Sequence, residues 1–130
     1  MASHLDGAGI AKLNMLDDAL TGVQRLNTIV ERMATAVRMQ SETGSIRGQI
    51  QRVTAPLVGL LKPQYGPIAD QLSQLILITS RPGGDKAKLR SLRESVAQIK
   101  AQLEIAMTKV REHHAVETQA GGPADDTSTT

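Results

Sequence analysis

The sequence predicts an all-α protein, an antiparallel helical bundle in which two long helices, about 9–41 and 85–117, bracket two short ones, about 45–62 and 67–80. Three observations carry that expectation. Apolar residues recur every three or four positions through each segment, the spacing of one helical face. Runs rich in Pro and Gly, at 63–67 and 82–84, separate the later segments. The chain has no Phe or Trp and Tyr65 is its one aromatic, so the core must be aliphatic side chains interdigitating without large ring anchors. A three-helix bundle whose middle helix bends at Pro63–Pro67 satisfies the same periodicity and is the alternative.

Residues 1–8 read as a flexible start, with no basic stretch and no apolar run of the kind a secretory signal needs. The first long helix carries a stripe of Leu13, Leu16, Leu20, Val23, Val30 and Val37, widened on one side by Leu26 and Met33. Asn27 falls on that stripe between Val23 and Val30. It is either a buried amide that fixes register or a polar residue at the stripe's edge. Gly44 suits a left-handed helix end and Ser45 an N-cap.

The second helix reads Ile46, Ile50, Val53, Leu57 and Leu60, and its stripe passes Pro56 without changing face. Either the helix runs through Pro56 with one backbone bond lost, or Thr54 caps a fresh turn. Pro67 suits the start of the third helix, where its missing amide costs nothing. That helix ends in Leu75-Ile76-Leu77-Ile78, four apolar residues that cannot share one face. Such a segment is buried all round; a strand is the competing reading, but the sequence offers it no partner.

The last helix follows Arg81-Pro82-Gly83-Gly84, with Asp85 as the expected N-cap. Its seam of Leu89, Leu92, Val96, Ile99, Leu103, Ala106 and Val110, with His113 next, alternates threes and fours in the manner of a coiled coil. The organisation predicted is therefore a bundle domain over 9–117 and a disordered tail over 118–130, which has no apolar side chain larger than Ala.

A chain of 130 residues with a formal charge of +2 fits one soluble domain, and no apolar run is long enough to span a bilayer, so a cytoplasmic protein is expected. The absence of Cys excludes disulfides, thiolate nucleophiles and cysteine zinc sites. No serine lies in a Gly-x-Ser-x-Gly turn, His4, His113 and His114 sit near the ends, and the adjacent Asp17 and Asp18 point about 100° apart on a helix. No catalytic role and no cofactor are expected. His113 and Glu117 share a helical face, but two ligands do not make a metal site, so none is expected.

Two surfaces remain as candidates. Arg81, Lys86, Lys88, Arg90 and Arg93 gather around a helix N-terminus, where the macrodipole already favours anions. Leu75, Ile76, Leu77 and Ile78, with Leu26 and Met33, exceed the apolar area a small bundle needs for one core and are the candidate partner interface. The function expected is a non-catalytic protein-interaction or scaffold module, a homodimer associating through its helical seams. The alternatives are a nucleic-acid or phosphate binder using the basic start of the last helix, and a secretion or assembly chaperone.

Overall fold

The protein is described by a computed structural model covering residues 4–116. In chain order its elements are β1 (His4–Leu5), α1 (Gly7–Arg38), α2 (Gly44–Leu61), α3 (Gly66–Ser80), α4 (Asp85–His113) and β2 (Ala115–Val116). The helices form an antiparallel bundle. Each packs on its neighbours in the chain and α1 also packs on α4, which closes the ring. The break at 62–65 is a full reversal, with α2 and α3 lying side by side, so the middle section is a hairpin and not one bent helix. Within the stretch expected to be a flexible start, Asp6 caps α1, accepting from the Gly9 amide at 2.7 Å, and β1 pairs antiparallel with β2; residues 1–3 lie outside the described residues. The expected tail over 118–130 lies outside the described residues, as does Glu117.

The core is aliphatic throughout, and its seams differ from the sequence reading in a consistent way. On α1 the buried line is Leu16, Ala19, Val23, Leu26, Val30 and Met33. Leu13, Leu20 and Val37 pack at its margin and Asn27 is exposed. Two registers of the same heptad pattern fit this segment, and folding selects the one that keeps the amide in water. On α4 the buried line is Leu89, Leu92, Val96, Ile99, Leu103, Met107 and Val110, with Ala106 half-buried. A straight helix drifts about 20° per heptad against a strict seven-residue repeat, so the inward stripe steps over by one position near its end. On α2 the inward residues are Ile50, Thr54, Leu57 and Leu61, while Leu60 is turned out. Thr54 is wholly buried and its hydroxyl donates to the Ile50 carbonyl at 2.6 Å, so α2 runs through Pro56 as one helix and no fresh turn begins there. The 75–78 segment is helical.

Three caps also differ. Gln40, not Gly44, takes the left-handed conformation after α1, at φ 55. Its amide donates to the Val37 carbonyl at 3.1 Å and the Ser41 amide to the Ala36 carbonyl at 2.8 Å, the paired bonds of a Schellman closure. Gly44 instead opens α2, where the Glu42 carboxylate, not Ser45, accepts from the Gly44 and Ser45 amides at 2.9 and 3.4 Å. Asp85 is the first residue of α4 and does not cap it. Its carboxylate faces sideways, accepting from the Thr43 hydroxyl at 2.7 Å and from Arg47 at 3.1 Å.

Helix lengths decide where a site can lie. At about 1.5 Å per residue, α1 and α4 extend roughly 48 and 44 Å, and α2 and α3 roughly 27 and 22 Å. At one end α1, α2 and α4 are level, where Thr43 and Arg47 meet Asp85, and α3 stops about two turns short, its penultimate residue Thr79 accepting from Gln51 at 2.8 Å. The mismatch of α1 and α4 with α2, roughly 20 Å, therefore falls at the other end, where α1 and α4 run on past the α2–α3 turn.

Candidate interaction notch

Two glycines let α1 approach its neighbours closely, Gly22 in the body of the bundle and Gly9 in the overhang. A Cβ on Gly22 would lie 2.6 Å from the Leu57 side chain, and one on Gly9 would lie 2.5 Å from the Cβ of His114. At the second position the obstructing atom is fixed to the backbone of α4, so only glycine lets the two helix ends touch. A polar latch fastens the same point. The Asp6 amide donates to the His114 carbonyl at 3.1 Å, and the His114 ring lies between Asp6, at 3.3 Å from Nδ1, and the Lys12 ammonium, at 3.3 Å from Nε2. An ammonium only donates, so Nε2 accepts and the ring proton sits on Nδ1, facing the carboxylate. The Gly9 amide, then the imidazole of His114, hold the Asp6 carboxyl below the usual carboxylate range.

Beside this latch, α4 presents a face that no helix of the described residues covers. Tyr65 immediately precedes α3 and stands at the floor of a notch of about 350 Å³, together with Ala106 and Val110 of α4. Partial burial pushes the Tyr65 hydroxyl's pKa up, so it remains a neutral donor. Lys12, Lys109 and His113 form the rim, with Gln102 and His114 completing it, and among the described residues no carboxylate lines the cavity. Ile105 is 55 % exposed, a large aliphatic side chain standing in water at the notch wall. The notch continues the lane in which α3 packs on α4: where α3 begins, its covering of α4 ends.

The residues singled out from the sequence are distributed differently. Leu26, Met33, Leu75 and Ile78 are inside the chain's own core, where neighbouring helices cover them; they offer the folded monomer no partner surface. Ile76 is half-buried and Leu77, at 52 % exposure, is alone of the six in standing clear of the fold. In the basic group, Arg93 is committed to a two-pronged bond with Glu31 of α1, at 2.7 and 3.0 Å. Arg93 holds the Glu31 carboxyl below its usual range. Lys86 and Arg90 are exposed. Arg81 and Lys88 share a shallow hollow of about 130 Å³ with Gly83 and Gly84. The structure thus brings two of the five basic side chains together and ties a third elsewhere.

Ile105, Lys109 and Tyr65 were not singled out from the sequence. Ile105 lies outside the α4 seam, and an isolated apolar residue on a polar face was the one signal available. Among the described residues, no three His, Asp or Glu side chains gather as a metal site would require, and no helix is long and apolar enough to cross a membrane. Comparison with protein-family models, with curated proteins and with solved structures finds no match.

Proposed function

We propose that this chain is a non-catalytic interaction module that docks a protein partner at its overhanging end. The observation that carries this reading is Ile105, more than half exposed beside an uncovered notch floored by the chain's one aromatic residue. With about half of the side chain in water, a partner that covered it would recover about 1 kcal/mol of burial. The notch has apolar floor and polar rim, the anatomy of a small binding patch. A catalytic constellation is not assembled among the described lining residues: the His114 ring is paired with Asp6 and Lys12, and no serine, threonine or cysteine lines the notch for it to activate. The seams expected to join two chains serve the monomer's own core, so docking is assigned to the notch.

A photoreactive amino acid placed at 105, in the full chain, tests this. In a native lysate it should yield a defined protein adduct that the same label at 77, on the opposite end of α3, does not give. Equal labelling from both positions, or none from 105, would overturn the reading.

A further inference from the structure

We infer that the notch takes an acidic amphipathic helix of a partner protein, laid along α4 as a continuation of α3. This rests on the reading of the notch as the docking site and adds the chemistry of its occupant. The notch spans α4 from Gln102 to His113, three turns or roughly 17 Å, which matches a partner helix of about 11 residues. Its lining is a side-chain ridge of α4, bounded by Lys12 of α1 and by Tyr65 of the α2–α3 turn, a surface on which a helix packs ridge to groove. An extended peptide would gain nothing comparable, since the walls are helices whose backbone groups are bonded within themselves.

Charge selects the occupant further. Lys12, Lys109 and His113 stand on the rim with no carboxylate among the described lining residues; Glu104 and Glu112 lie in the adjoining hollow on the outer side of Ile105 and Lys109, and Asp6 is already engaged by the Gly9 amide and His114. A second helix bearing Lys or Arg at its flanks would leave like charges facing one another. One bearing Glu or Asp would meet cations on both sides of its apolar stripe.

The test is selection of a displayed library of fifteen-residue helical peptides on the full-length chain. Enriched sequences should carry apolar residues at i, i+3 or i+4, and i+7, flanked by Asp and Glu. Their binding should weaken at least about tenfold in the triple variant Lys12→Glu, Lys109→Glu, His113→Glu, and again in Ile105→Asp. Lys12→Gln with Lys109→Gln serves as a milder pair should the triple variant lose its helical circular-dichroism spectrum, and should weaken binding in the same direction. Enriched peptides without an acidic excess, or binding indifferent to the rim charges but lost in Ile105→Asp, overturn the acidic-helix inference and leave docking at the notch intact. Binding that ignores Ile105→Asp overturns both. A dimer of the chain in sedimentation that Ile105→Asp dissolves makes the occupant a second copy and likewise overturns the inference.

Discussion

At the end where α1 leads into α2 and α3 into α4, three helices stop level and α3 ends about two turns inside them, closed over by the 81–84 link. There the side chains of Met33 and Leu75 are wholly enclosed, and Asp85 is held by both Thr43 and Arg47. At the opposite end α1 and α4 run on as a pair, joined by one glycine contact, a histidine latch and two backbone-paired residues on each strand. The first end gives each core residue neighbours on every side. The second leaves part of the inward face of α4 uncovered. The difference teaches that a bundle acquires a docking surface simply by making two helices longer than the hairpin that covers them, without any special motif.

The sharpest way to break this comparison uses one residue type at both ends. Met33→Ala should cost about 4 kcal/mol, because rigid packing from all sides cannot collapse into the space, whereas Met107→Ala in the overhang should cost about 2 kcal/mol. Urea denaturation measures both, and equal losses would show that the two ends are packed alike. Gly9→Ala probes the overhang alone. The new methyl group meets the His114 Cβ and should pry the helix ends apart at a local cost of about 1–2 kcal/mol. Hydrogen exchange should then lose protection at the Asp6 and His114 amides while the level end is unchanged.

Smaller effects sharpen the contrast from the other side. Gln40→Gly relieves a side chain held at φ 55 in the Schellman closure and should stabilise the level end by about 1 kcal/mol in the same denaturation assay. Arg47→Ala removes one of two donors to Asp85. Both side chains are about a third exposed, so screening limits the loss to about 0.5 kcal/mol, readable as a small drop in thermal midpoint.

The mildest test is pH. Asp6 has a lowered folded-state pKa, so its stabilisation of the latch is fully present above the ordinary carboxylate range, near pH 4, and is lost as pH falls through the depressed folded value. The Gly9 amide resonance should titrate below about pH 4 in the wild type and stay flat in Asp6→Asn. A titrating Gly9 amide in that variant would remove Asp6 as the cause.

Much of this fold was legible in the residues, and the misreadings share one source. Periodicity located four helices because a side chain's direction repeats every 3.6 residues whatever surrounds it. It could not choose between neighbouring registers. Leu26 and Met33 were placed at the edge of the α1 stripe and are its centre, and Asn27 was placed on the stripe and faces water. One consequence was that core residues were offered as a partner surface, since an apolar residue beyond an assumed seam looks surplus. The notch was less legible still. Lys12, Tyr65 and Ile105 are far apart in the chain, and no local pattern relates them.

By itself, then, the order of residues determined the helical class, the places where the chain must reverse and the aliphatic character of the interior. These follow from local sterics, proline and glycine, and the absence of large rings. Only the packed structure decided which of two equivalent stripes turns inward, which residues cap each helix, and that the unequal lengths are level at one end. Those choices depend on what each helix meets from elsewhere in the chain, a long-range contact energy that no stretch of sequence contains alone.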